Sequence, residues 1–294
     1  MDNNTYLSMD IGSQHTRAWL FDNRSGSYEI LGSATAQTTL AAGTDIQTGV
    51  LMVLDQIQKT SGYQLLDYQQ QLIIGKSEPD RGVTRVGLSL SAGHLIRTAL
   101  VGVSDSYSLA ALRRLVNFFY TEVVLEVNLQ DDINATAQLE KMISTDVDLY
   151  VVAGGIEGGA TRSVKAAIDN IRIVYQSLPK VVKPQIIFAG NSELAEYAGK
   201  EWDAGEDFHL AGNIQPGIGK ESLSVAWLAM LEAFARIRTQ QIHGLADLQA
   251  KCGTKVIPTA FAMGRIVRLL DQINPAGKGV LALDVGSGST TLMA

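Results

Sequence analysis

Two kinds of hydrophobic pattern run along the chain. Near its start, Tyr6 to Met9 and Thr16 to Phe21 read as strands around the tight turn Gly12-Ser-Gln-His15, and Tyr28 to Ala36 reads as a third strand of the same meander. Ile46, Val50, Val53, Leu54 and Ile57 then recur at helical spacing over Ile46 to Lys59, with Thr44 or Asp45 as cap, and Val83 to Leu90 is a further strand. From about Thr98 the pattern changes to alternation. Strands at Thr98–Val103, Val123–Leu129, Leu149–Ala153, Gln185–Ala189 and Phe208–Ala211 are separated by helices at Ser108–Tyr120, Ile133–Ile143, Ser163–Ser177 and Glu193–Ala198. These strands are short continuous apolar runs, as strands buried on both faces should be. Strand–helix repetition implies a Rossmann-like parallel sheet flanked by helices, expected over residues 98–215. After Pro216 the chain turns helical, with Leu223–Ile237 and Thr259–Ile273 amphipathic, and a turn at Asn274-Pro-Ala-Gly-Lys-Gly279 leads into a last apolar hairpin.

That last hairpin repeats the first. Leu7-Ser-Met-Asp-Ile-Gly-Ser-Gln-His-Thr-Arg17 aligns with Leu281-Ala-Leu-Asp-Val-Gly-Ser-Gly-Ser-Thr-Thr291, with five of eleven positions identical. Each is a strand that delivers an aspartate to its end, followed by a glycine turn. Glycine lets such a turn adopt positive φ and lets backbone approach a ligand closely. Successive N–H groups there form an anion nest, to which Ser13, Thr16, Ser287 and Ser289 add hydroxyls, with Gly288 in the second turn. Asp10 and Asp284 are the candidate Mg²⁺ carboxylates, holding the ion through its waters. Two facing hairpins of this kind would clamp the phosphates of one nucleotide. The alternative is two unrelated hairpins with Asp-x-Gly turns.

Composition narrows the classes. Hydrophobic residues make up 46% and charged residues 18%, enough apolar content for a core. A net charge of −6 disfavours nucleic acid as partner. The longest charge-free stretch, Ile30 to Thr44, is rich in Thr, Ser, Gln and Gly, which is against a membrane span. The polar opening Met1-Asp-Asn-Asn-Thr is unlike a signal peptide, and the single Cys252 has no internal disulfide partner, so a cytoplasmic location is expected.

Gly154-Gly-Ile-Glu-Gly-Gly159 follows one buried strand and precedes a helix. It is either a tight turn or a ligand loop built from Gly154, Gly155, Glu157, Gly158 and Gly159. Ala189-Gly-Asn191 ends the next strand in the same way. The four histidines lack metal-ligand spacing. Arg113, Arg114, Arg236 and Arg238 read as helix-surface charges.

The paired hairpins resemble the two phosphate loops of the actin, heat-shock-chaperone ATPase and sugar-kinase superfamily, and Pro258-Thr-Ala-Phe-Ala-Met-Gly-Arg-Ile-Val resembles its connecting helix. More narrowly the chain resembles the GlmL/MutL accessory proteins encoded with glutamate mutase and related adenosylcobalamin mutases. The matching stretches are Asp10–Ala18, Ser89–Arg97, Leu149–Gly159, Ile187–Asn191, Asn213–Pro216, Ile242–Leu245, Ile257–Ala260 and Asp284–Thr291. The resemblance implies an α/β fold with an actin-like (ribonuclease H-like) ATPase half over 1–97 and 216–294, beside the Rossmann-like module. It implies ATP and Mg²⁺ as cofactors and mutase subunits as partners, in a chaperone-like or reactivating role. Asp10, Gly12, Ser13, Thr16, Arg17, Asp284, Gly286, Ser287, Gly288, Ser289 and Thr290 would form the nucleotide site. Arg17 stands where the family usually has Lys, Ser287 replaces a Gly, and Thr291 replaces an Asp, a loss that counts against hydrolysis more than against binding. In the superfamily the second loop opens a second half, so a chain truncated at that point is expected, with weak or no ATPase activity. A small-molecule kinase and a nucleotide-free scaffold are the other functional readings.

Overall fold

A computed structural model describes residues 5–23, 26–40, 45–75, 80–131, 135–179, 183–200, 202, 207–274, 277 and 279–294. Thr44, Ile133, Pro275, Ala276 and Lys278, used in the sequence reading, lie outside the described residues. The chain divides into two compact units: Met1–Gly93 with Arg238–Ala294, and His94–Ile237.

The first unit is built on a five-stranded sheet. Strands β1 (Thr5–Ile11), β2 (His15–Asp22) and β3 (Glu29–Gln37) form an antiparallel meander. Strands β4 (Arg85–Leu90) and β10 (Ile257–Pro258) add parallel to β1, giving the order β10-β4-β1-β2-β3. The meander and β4 were expected from the sequence, and β10 was not. Burial along β1 alternates: Thr5, Leu7, Met9 and Ile11 are buried, and Ser8 is exposed. That period of two marks a sheet covered on one face. The cover is helix α1 (Ile46–Ser61), which buries Val50, Val53, Leu54 and Ile57. Asp45 caps it by accepting from the Gln47 N–H at 2.8 Å, a contact worth about 1 kcal/mol. Gly62, in the left-handed conformation, ends it. Helix α7 (Leu245–Cys252), absent from the sequence reading, packs on α1.

The second unit is a parallel sheet of β5 (Ile96–Gly102), β6 (Thr121–Asn128), β7 (Leu149–Ala153), β8 (Gln185–Phe188) and β9 (Phe208–Leu210), in the order β6-β5-β7-β8-β9. Every residue of β7 and β8 is buried, as continuous apolar runs require. Helices α3 (Ala135–Ser144) and α4 (Arg162–Ser177) cover one face, where Met142, Val164, Ile168 and Ile171 meet Ala99, Val101, Tyr150 and Val152. The helix expected from Ser108 to Tyr120 is instead a π-turn at Asp105–Leu109 running into α2 (Ala110–Val116). A one-turn helix, α5 (Ala195–Ala198), follows β8.

The second unit also keeps residues 216–237, which the sequence reading assigned to the other domain. One ion pair, one backbone hydrogen bond and one ring contact explain the difference. Arg114 pairs with Glu221, the Ser222 N–H donates to Ile214 O at 2.8 Å, and Trp227 meets Phe118 edge-on at 6.2 Å. The boundary falls inside helix α6 (Trp227–Gln241). Arg238, read from sequence as a surface charge, is 1% exposed in the first unit and donates to Gln241 Oε1. Among the described residues no helix is long and apolar enough to cross a membrane.

The last elements are helix α8 (Thr259–Ile273) and the hairpin β11 (Ala282–Val285) and β12 (Thr290–Met293), a two-stranded sheet of its own. Leu7, Met9 and Ile11 are at most 1% exposed, but the matching Leu281, Leu283 and Val285 are 61–71% exposed. Ile266, Leu269, Leu270 and Ile273 of α8 are exposed as well. The second hairpin therefore repeats the first, and among the described residues no counterpart of α1 covers its apolar face.

Two buried side-chain groups in the second unit, on Tyr150 and Asn191, are unsatisfied among the described residues. The Tyr150 hydroxyl has no partner among the described residues, and burial pushes its pKa up to about 12. The folded state holds the phenol neutral while the unfolded chain ionises near 10, so stability should fall as pH rises from about 10 toward 12. Tyr150→Phe should raise stability by about 1 kcal/mol at neutral pH and flatten that alkaline decline, as measured by urea denaturation across pH.

Candidate functional site

The carboxyl ends of the parallel strands β1, β4 and β10 converge on Asp10. Its Oδ1 accepts from Ser89 Oγ at 2.8 Å and from Thr259 Oγ1 at 2.7 Å. Ser89 lies in β4, paired with Asp10 in the parallel register, and Thr259 is the first residue of α8, just after β10. Two hydroxyls thus fix one carboxylate oxygen. Among the described residues Oδ2 has no partner, and Asp10 is half-buried. One carboxylate oxygen left open at the mouth of a glycine turn has the chemistry of a Mg²⁺ ligand, since that ion takes one or two carboxylates and fills its shell with other oxygens.

The turn after β1 is closed by the Gly12 N–H donating to His15 O at 2.9 Å. The turn after β11 is closed by the same bond, Gly286 N–H to Ser289 O, also 2.9 Å. The strand registers match too: Asp10 faces Arg17 and Ile11 faces Thr16, while Asp284 faces Thr291 and Val285 faces Thr290. The need for glycine differs from the expectation. Neither Gly12 nor Gly286 has positive φ. A Cβ on Gly12 would stand 2.9 Å from His15 O, and one on Gly286 would stand 3.2 Å from Ser289 O. Close approach within the turn, not handedness, disfavours a side chain, more strongly at Gly12 than at Gly286.

The other expected residues fall into two groups. Ser13, Arg17, Ser287, Gly288, Ser289 and Thr290 are exposed, as are Gln14 and His15, so their groups face solvent at the two turns. Thr16 is fully buried and its hydroxyl bonds that of Thr38 at 2.9 Å, so it braces β2 rather than facing a ligand. Asp284 is half-buried at the end of β11. The second hairpin connects to the Asp10 cluster through α8, which bonds Asp10 at its first residue and packs on β12. No group of three or more metal-ligating side chains occurs among the described residues.

The sequence reading assigned no role to Ser89, Ser91 or Thr259. Ser91 lies against the first turn, 3.7 Å from where a Gly12 Cβ would stand, and its N–H donates to Ile11 O at 3.0 Å. Gly93, with φ +106°, makes room for the buried Arg238 guanidinium, since a Cβ there would stand 2.3 Å from Nη1. The signal was present: Ser89–Arg97 and Ile257–Ala260 are stretches that carried the family resemblance.

In the second unit, Glu157 ties three strand-end loops together. Its carboxylate accepts from the Ser192 N–H at 3.1 Å, from the Ser192 hydroxyl at 2.5 Å and from Asn213 Nδ2 at 2.6 Å. Hydrogen bonds from Ser192 and then Asn213 hold its pKa below the usual carboxylate range. Gly154 packs so closely on the next loop that a Cβ on Gly190 would stand 2.0 Å from Gly154 N. Gly155 and Gly158 do adopt positive φ.

With this geometry in place, comparison with known proteins gives a family. The model for MutL protein matches residues 6–294, and the chain belongs to the MutL family. No curated protein matches. A diol dehydratase-reactivating factor in nucleotide-free form is 11% identical with TM-score 0.22, and the match covers 71% of this chain and 30% of that one. The PPX-GPPA enzyme of Aquifex aeolicus is 16% identical with TM-score 0.18, covering 85% of this chain and 88% of that one. A Ppx/GppA family member of the same organism is 14% identical with TM-score 0.19, covering 92% and 99%. Structural likenesses this slight settle neither fold nor activity.

Two outcomes test the local geometry. Gly12→Ala should destabilise the protein by about 1–3 kcal/mol in denaturant titration, because the new methyl meets the His15 carbonyl. Glu157 has a depressed pKa, so its bonds are present above the unfolded value near 4.5 and are lost as pH falls through the folded one. The protection factor of the Ser192 amide, its exchange relative to the intrinsic rate at each pH, should therefore fall in acid, and Glu157→Gln should show the lower protection already at neutral pH.

Proposed function

We propose that this chain binds Mg-ATP at the first hairpin and serves an adenosylcobalamin-dependent mutase, such as glutamate mutase, as a chaperone-like or reactivating accessory protein. The observation that carries the nucleotide part is Asp10: one oxygen is fixed by Ser89 and Thr259, and the other is open beside a glycine turn. Membership of the MutL family carries the accessory part.

In this reading Asp10 holds the ion through waters, and the ion offsets the phosphate charge. The exposed turn Ser13-Gln14 supplies backbone N–H groups and the Ser13 hydroxyl to phosphate oxygens, a nest that costs no net charge. Arg17, exposed and opposite Asp10 in the register, adds a fixed cation at the same edge. Asp284 and the second turn, Gly286–Ser289, form the opposing loop. Thr291, where the family usually carries an aspartate, leaves that loop with one carboxylate, which favours holding nucleotide over hydrolysing it.

Asp10→Ala should weaken Mg-ATP binding at least about tenfold by calorimetry, the scale of one lost charge-assisted contact. Thr16→Val should leave affinity unchanged, because that hydroxyl is spent on Thr38. Unchanged affinity in Asp10→Ala overturns the nucleotide site. For the accessory role, the chain with ATP should restore activity to a cobalamin-dependent mutase inactivated during turnover, and failure with every such mutase tried overturns it.

A further inference from the structure

Behind β1, on the face away from Asp10, lies a cavity of about 120 Å³. Met9 forms its floor, and Val50, Leu54, Leu66 and Leu248 line its walls. The mouth has a different chemistry. It carries the amides of Gln47 and Gln69 to Gln71 and the ammonium of Lys251, with no Asp or Glu among the lining residues. Lys251 Nζ donates to Gln47 Oε1 at 2.5 Å, which holds the cation across the opening. An apolar chamber with a few convergent polar groups at one end is the general form of a small-molecule site.

The loop over the chamber is also specialised. Leu66 and Leu72 pair across it, and Asp67 Oδ1 accepts the N–H groups of Gln69 and Gln71, both at 2.8 Å. Between them Gln70 adopts φ 58°, left-handed backbone that a side chain other than glycine adopts at a cost of about 1 kcal/mol or more. Strain of this kind persists where surrounding structure imposes it, and it concentrates at ligand clamps.

We propose that this cavity binds a short-chain aliphatic carboxylate. Size sets the body: a cavity near 150 Å³ admits benzene, so one of about 120 Å³ suits about four to six carbons. Charge sets the head: Lys251 is the one charged residue among those that line the chamber, and the side-chain amides of Gln69 and Gln70 supply further donors, while Gln47 already bonds Asp45 and Gln71 bonds the Gln69 carbonyl. The Cys252 thiol, buried in the wall with its pKa pushed up to about 11, reacts slowly, and its modification at alkaline pH reports occupancy. This site is separate from the nucleotide reading and stands or falls without it.

The test uses the whole chain and three six-carbon probes, sodium hexanoate, hexan-1-ol and hexylamine, at matched ionic strength. Hexanoate should shift the Met9 methyl resonance saturably and slow the modification of Cys252 by a thiol reagent. Lys251→Glu, a change at an exposed side chain, should weaken hexanoate binding at least about tenfold. The absence of a saturable shift with hexanoate overturns the site. Equal binding of hexylamine or hexan-1-ol, or undiminished binding by Lys251→Glu, overturns the carboxylate assignment.

Discussion

One carboxylate oxygen organises the first unit. Asp10 Oδ1 gathers a hydroxyl from the neighbouring strand and another from the first residue of α8, segments far apart in the chain. Each donor makes a bond to a charged acceptor, which is roughly twice as strong as a neutral one. The arrangement fixes the strand-end carboxylate in one orientation. It also makes the start of α8 part of the same hydrogen-bonded set as the first turn. A group that changed the charge or position of Asp10 would be felt at both donors.

The two units use opposite solutions to the same problem of burying a sheet. In the first, β1 alternates because one face is packed and the other carries the polar ends of the site. In the second, β7 and β8 are buried throughout, and their chemistry is confined to the loops at their carboxyl ends. There Glu157 satisfies the donors of Ser192 and Asn213, so those loops are held by an internal anion.

Much of this was legible in the sequence, because it depends on local spacing. Leu149–Ala153 and Thr259–Ile273 have the expected ends, and α1 differs by two residues at one end, since periodicity and capping act over short range. The repeat of the two hairpins was legible too, down to equivalent turn closures. What the sequence could not show is what depends on distant neighbours. Ser89 and Thr259 sit 79 and 249 positions from Asp10, and nothing nearby marks them as its partners. Arg238 looks like a surface charge until Gly93 is seen to make room for it. Of the reasons foreseen for the glycine of each turn, positive φ does not hold, because φ and steric clearance are not distinguishable from a residue letter.

The uncovered outer face of the second hairpin has a thermodynamic consequence. A two-stranded ribbon is marginal in water by itself, and Leu283 opposite Leu292 gains little while both face solvent. The hairpin alone therefore gives the second turn little stability, and a partner that covered Leu281, Leu283, Val285 and Leu292 would add to it. Covering that face and shaping the Gly286 turn are one linked equilibrium, so a partner at the leucines would act as an effector of the turn without touching it.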